Sequence, residues 1–175
     1  MGIESNICTK LCNFKSASAL VVDCNILSSD LMERTLTSLK LKDIYRSFST
    51  EDALSLLSEK EIDIVIINAD TIREKALQFL DMVRFRQTKD PLLEAKIKHI
   101  SIIPFVITSS AVTPKMAEKA ADAGICALVS MPFRPIDFMN RIKSLLYVHC
   151  NDNCFKMTSP SLEDAGFLEE PSSLR

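Results

Sequence analysis

Asp63-Ile64-Val65-Ile66-Ile67-Asn68 is the stretch on which the reading of this chain turns. Four β-branched apolar residues stand in an unbroken row between two polar ones. The row is too short for a helix and too uniformly apolar for a strand with one wet face. It therefore reads as a strand covered on both sides, as in a parallel sheet packed between helices. Such a strand delivers its last side chain to the carboxyl edge of the sheet, where open α/β sheets bind their ligands. Here that side chain is an amide, Asn68.

Working outward from this strand, expected over 62–68, the same alternation recurs. Residues 19–23 make a short apolar run ending in Asp23. A helix follows over 27–40, with Leu31, Met32, Thr35, Leu36 and Leu39 on one face at a period near 3.6. A second strand is expected over 44–48. Ser49 or Thr50 then caps a helix whose first turn holds Glu51 and Asp52, both suited to its dipole. A third helix is expected over 72–86, with Leu77, Leu80 and Val83 facing inward, and a fourth strand over 102–108. Pro114 opens a fourth helix and Gly124 sits where its C-cap belongs. A fifth strand is expected over 127–130. Pro135 opens a fifth helix whose Phe138, Met139, Ile142, Leu145 and Leu146 form an inward stripe. The fold class is α/β, a doubly wound five-stranded parallel sheet, and no internal repeat interrupts it.

The chain has 175 residues, 47 % of them hydrophobic, and a net charge of −2. That suits one domain over 19–148, with an N-terminal extension over 1–18 and a Ser-, Pro- and acid-rich tail over 149–175 that reads as disordered. The charge balance gives no basic footprint, which argues against nucleic-acid binding. No apolar run reaches the roughly 18–20 residues that span a bilayer. Residues 1–18 lack a basic region followed by a long apolar stretch, so a reducing, cytoplasmic setting is expected. The six cysteines then read as free thiols rather than a disulfide framework. Residues 87–99 are longer and more charged than an ordinary connection. They read as a solvated loop, with a docking insert as the alternative.

Four landmarks occur in a definite order and spacing. They are Leu20-Val21-Val22-Asp23-Cys24-Asn25, the run Asp63–Asn68, Pro104-Phe105-Val106-Ile107-Thr108-Ser109-Ser110-Ala111, and Ala123-Gly124-Ile125 through Met131-Pro132-Phe133. Together they resemble the CheY-like receiver domain of bacterial two-component response regulators, over residues 19–147. The resemblance implies a flavodoxin-like sheet of strand order 2-1-3-4-5, in which Asp23, Cys24 and Asn68 converge. It also implies a chemistry. In that family an Asp at the end of the third strand attacks phosphorus, and two further acids hold Mg²⁺, a hard ion that prefers oxygen. A Lys pairs with the phosphoryl oxygens, and a Ser or Thr donates to the phosphate and reports it to the fourth helix.

This chain departs from that pattern at the positions that do the chemistry. Asn68 takes the acceptor position, and an amide oxygen is a far poorer nucleophile than a carboxylate. Cys24 replaces the second acid with a soft sulfur badly matched to Mg²⁺. Met131 replaces the Lys, and Leu128 stands where an aromatic switch residue is expected; Asp23, Ser109 and Pro132 remain. Three carboxylates and an ammonium would sum to about −2 and call for a cation, whereas the residues present sum to about −1. The resemblance thus implies a pseudo-receiver without catalytic residues or cofactor, Mg²⁺ included, whose conformation is set by binding. It would act by contact with a histidine kinase, a phosphotransfer protein or another regulator. The family's usual partner and dimer face carries over to residues 114–147, so a homodimer through that face is open. The residues after Tyr147 are too few for a DNA-binding output domain, which gives the expectation of a stand-alone module.

Sharper readings stand beside these. Asp70 could be a substitute phospho-acceptor; the plainer reading is a loop Asp, solvated or capping the third helix. Ser109 could keep a switch role, but with no phosphate to read, a hydroxyl satisfied by backbone is expected. Cys24 could be a redox or covalent sensor, or a small half-buried filler. Cys8 and Cys12, with Cys150 and Cys154, belong at one pole of the fold and could form a four-sulfur zinc site, although the spacing fits loosely. Unrelated thiols are the alternative. Met116, Met131 and Met139 could line an adaptable contact surface, or pack in the core. A flavodoxin-like electron carrier is disfavoured, since Cys24-Asn25-Ile26 replaces a Ser/Thr/Gly-rich phosphate loop.

Overall fold

The computed structural model describes residues 14–73, 75–85 and 103–151. After a 3₁₀ turn at Phe14–Ser16 the elements run β1 (Ser18–Val22), α1 (Ile26–Thr37), β2 (Asp43–Ser47), α2 (Thr50–Glu59) and β3 (Ile64–Asn68). They continue with α3 (Ala69–Ile72), α4 (Lys75–Phe85), β4 (Phe105–Ser109), α5 (Pro114–Asp122), β5 (Ala127–Ser130) and α6 (Pro135–Asn151). The five strands form one parallel sheet of order β2-β1-β3-β4-β5, the order that the resemblance implies.

Strand periodicity divides the core into two layers, because successive side chains point to opposite faces. Leu20, Val22, Val65, Ile67, Phe105 and Ile107 pack with Leu57 of α2, Phe79, Leu80 and Val83 of α4 and Ala120 of α5. Ala19, Val21, Ile64, Ile66 and Val106 point the other way, onto Met32 and Leu36 of α1 and Phe138, Ile142 and Leu146 of α6. β1, β3 and β4 are buried along their whole length, while the edge strands β2 and β5 are only partly covered. This is the physical reason the central strands lack an apolar–polar alternation. Asp63 ties the start of β3 to β1: its backbone N–H donates to the Ser18 carbonyl at 2.9 Å and its Oδ2 accepts from the Ser18 N–H at 2.8 Å.

Local signals set most helix ends. Ser49, not Thr50, is the N-cap of α2, its hydroxyl accepting from the Asp52 N–H. α5 closes on Gly124 at φ 74°, with Ile125 N–H to Ala120 O at 3.0 Å and Gly124 N–H to Ala121 O at 2.9 Å. That pair of bonds is a Schellman closure, which needs a residue free to take positive φ. Phe133, two residues before α6, stacks on Phe138 at 4.4 Å and fixes how the chain enters that helix.

Three sequence expectations need correction. The third helix is not continuous over 72–86: Arg73 adopts φ 56° and ψ −136°, which ends α3 after one turn and lets α4 restart at Lys75. Leu31 faces solvent, because the buried stripe of α1 is Ser29, Met32, Thr35 and Leu36, continued past the helix end by Leu39. β2 lies one residue earlier than expected and leaves Phe48 exposed, with the Arg46 guanidinium 5.5 Å from its ring centroid. Arg46 also reaches back from the edge strand to Asp30 and Glu33 of α1. Cys126 is half-buried beside β5. No helix of the described residues is long and apolar enough to cross a membrane. The charged stretch 87–99, the side chain of Cys150, and Cys8, Cys12 and Cys154 lie outside the described residues, as do 1–13 and 152–175.

Candidate functional site

Strand order reverses between β1 and β3, and the register there pairs Val22 with Ile67. Asp23 and Asn68 are the next residues on each strand, so both emerge at the carboxyl edge, at the position where doubly wound sheets hold ligands. Asp23 is 1 % exposed and Asn68 3 %. A carboxylate so deeply placed requires donors, and here the chain supplies four. Asp23 Oδ1 accepts from the Asn25 N–H at 2.9 Å and the Thr71 hydroxyl at 2.7 Å. Its Oδ2 accepts from Asn68 Nδ2 at 2.9 Å and from the Ser28 hydroxyl. An ionised carboxylate offers about four lone-pair positions, so protein donors account for all of them.

The Asn68 amide is oriented by its two neighbours. Nδ2 donates to Asp23, while Oδ1 accepts from the Asp70 N–H at 3.0 Å and caps α3. The reverse orientation would set oxygen against carboxylate and NH₂ against N–H, so only this one is compatible with its surroundings. Asn25 caps α1 in the same way, its Oδ1 accepting from the Leu27 and Ser28 N–H groups. The two strand ends therefore carry matching Asn caps, joined through Asp23.

Asp70 is exposed, as the plainer reading expects, but it caps no helix and is tied to the end of β4 instead. Its Oδ1 accepts from the Ser109 hydroxyl at 2.7 Å and its Oδ2 from the Ser110 N–H at 2.7 Å. Ser109 is thus not satisfied by backbone alone, as the sequence led us to expect: its hydroxyl donates to a carboxylate and accepts from the Ala111 N–H. The cause is the α3 turn, which starts at the Asn68 cap and aims Asp70 at the end of β4. Desolvation pushes the Asp70 carboxyl up, but the donors on Ser109 and Ser110 outweigh it and hold the group below its ordinary value of 3.8.

Cys24 does not turn in with Asp23 and Asn68. Its thiol is exposed and donates to the Phe48 carbonyl at 3.0 Å. There it lines an open cleft of about 640 Å³ shared with Phe48, Thr50, Glu51, Arg73 and Lys75. Met131 follows β5, its N–H donating to the Ser109 carbonyl at 2.8 Å, and its peptide bond to Pro132 is cis. Leu128 is half-buried in β5 and packs on the layer that holds α2, α4 and α5. Among the described residues no three His, Cys, Asp or Glu side chains come together as a metal cluster.

Sequence reading missed Ser28, Asn25 and Thr71 as partners of Asp23. The available signal was weak: each is a small polar residue within a turn of a strand end, a placement that capping alone explains.

Asn68→Asp would put a second buried carboxylate in contact with Asp23. We expect a loss of about 1–3 kcal/mol near pH 7. Like-charge contact raises one of the two pKa values, so the loss should shrink as pH falls toward about 5 and a proton binds. Urea melts at both pH values check this; a deficit independent of pH would contradict it.

No family model matches the chain, and no curated protein matches it in sequence. Solved structures do match in fold. A CheY-like response regulator receiver domain protein from Methanospirillum hungatei aligns with TM-score 0.62 at 13 % identity, over 76 % of this chain and 95 % of that one. The signal receiver domain of an HD domain-containing protein from Pseudomonas fluorescens gives 0.63 at 16 %, over 76 % and 96 %. The Vibrio cholerae chemotaxis protein CheY4 gives 0.61 at 16 %, over 74 % and 98 %. The chain therefore has the flavodoxin-like fold of CheY-like receiver domains.

Proposed function

We propose that this protein is a pseudo-receiver, a signalling module that works by protein contact and takes no phosphate at residue 68. The observation that carries this is the Asn68–Asp23 hydrogen bond at the strand switch point. An amide cannot form the acyl phosphate. The same amide also supplies part of what a buried Asp23 would otherwise seek from a cation.

The residues present do not fit Mg²⁺. That ion demands near-octahedral oxygen coordination. Here the Asp23 oxygens are engaged by four donors, and the neighbouring Cys24 offers sulfur and points to Phe48. Asp70 is a poor substitute acceptor for a related reason, since both its oxygens are held by β4-loop donors. On this reading the protein is a binding module rather than an enzyme.

Likeness to receiver domains supports a protein partner: a histidine kinase, a phosphotransfer protein or another regulator. Two surfaces compete for it. The face over residues 114–147, also the one a homodimer would use, presents mainly charged α5 residues, including Lys115, Glu118, Lys119 and Asp122. The first turns of α1 instead expose Ile26, Leu27 at 79 % and Leu31, the kind of apolar exposure that marks contact sites.

Incubation of the whole protein with acetyl phosphate and Mg²⁺ is the direct test. Intact mass should not change; an adduct of phosphate mass would overturn the reading. Capture of partners by the native protein, compared with Arg141→Glu and Leu27→Asp, locates the surface. Loss on Arg141→Glu alone would place binding on α6, and loss on Leu27→Asp alone would place it on α1. Retention of every partner by both variants would remove both faces.

A further inference from the structure

We propose that Asp70 is a built-in ligand of the loop after β4, filling with the chain's own carboxylate the oxyanion position formed by Ser109 and Ser110. Each carboxylate oxygen takes a different donor, Oδ1 the Ser109 hydroxyl and Oδ2 the Ser110 N–H, both at 2.7 Å. Two adjacent donors gripping the two oxygens of one anion is how a loop binds a carboxylate or phosphate, and hydrogen bonds to a charged acceptor are the strong ones. The hydroxyl is committed in both senses, because Ser109 Oγ also accepts from the Ala111 N–H at 3.2 Å. Its one O–H is directed at Asp70 Oδ1.

The contact joins segments 39 and 40 residues apart in sequence and continues on both sides. Toward β1, the Asp70 N–H donates to Asn68, whose amide donates to Asp23. Toward β5, the Ser109 carbonyl accepts from the Met131 N–H. One run of hydrogen bonds thus crosses the carboxyl edge of the sheet from β1 to the start of the segment entering α6. Asp70 is the link that holds the β4 loop, residues 110–113, and with it the approach to α5. The lowered Asp70 pKa fits a carboxylate bound by donors and ionised at neutral pH.

This inference deepens the pseudo-receiver reading, on which it rests in taking the loop to be held without added phosphate. Two measurements keep the two separable. The first is amide hydrogen exchange at Ser110, followed by NMR in the wild type, Asp70→Ala and Asp70→Asn. Exchange should be about tenfold faster or more in Asp70→Ala, from the loss of a hydrogen bond to a charged group. It should be intermediate in Asp70→Asn, which keeps shape and a neutral acceptor. The Asn25 amide, held by Asp23, serves as the control for an intact fold. If Asp70→Ala loses protection there too, Asp70→Asn decides alone. Ser110 exchange at the wild-type rate in a folded variant would overturn the proposal. In the second, inorganic phosphate is titrated into the wild type. The Ser110 amide resonance should stay in place, and a saturable shift would overturn the proposal, since its acceptor would then be replaceable. A phosphate adduct from acetyl phosphate would remove the functional reading and leave the exchange result standing.

Discussion

A buried carboxylate at the turning point of a parallel sheet must be neutralised by something, and this constraint organises the carboxyl edge of the fold. Asp23 sits where β1 and β3 end side by side, almost without solvent. Its charge is met by four hydrogen-bond donors drawn from the β1–α1 turn, α1, β3 and α3. With carboxylates in place of Asn68 and Cys24, the same geometry would need a cation. With an amide at 68 and the thiol turned away, it closes on itself.

That closure extends through Asn68. Because the amide both donates to Asp23 and accepts from Asp70, it fixes the α3 turn, and the turn aims a second carboxylate at the end of β4. Donors that could greet an external anion are matched to an internal one. The edge of the sheet becomes one connected arrangement of dipoles and charges. Such an arrangement is what the proposed role, a shape presented to a partner, requires. The exposed apolar residues of α1 and the charged surface of α5 are the contrasting faces such a shape offers.

The layered fold was legible in the sequence because burial on both faces leaves a blunt mark. Runs such as 64–67 and 105–107 have few other uses, and caps at Ser49, Pro114 and Gly124 punctuate them. The pairing of Asp23 with Asn68 was legible too, once the strand order was inferred. The rest of the site was not. Whether Cys24 turns toward Asp23 or toward the Phe48 carbonyl is decided by backbone angles at the end of β1, which no residue pattern announces. The embrace of Asp23 by Ser28 and Thr71, and of Asp70 by Ser109 and Ser110, depends on where α1 and α3 begin to within one residue. Helix boundaries are the least determined feature of a sequence. The break at Arg73 was hidden for a similar reason, since no glycine or proline marks it.

The self-sufficiency of Asp23 is the central claim, and a magnesium titration tests it most directly. The Asn25 amide donates to Asp23 Oδ1 and would report any ion that displaced it. Its NMR resonance should remain in place as Mg²⁺ is added to the native protein. A saturable shift of that resonance would show an oxygen of Asp23 open to metal, and would contradict a site closed by its own hydrogen bonds.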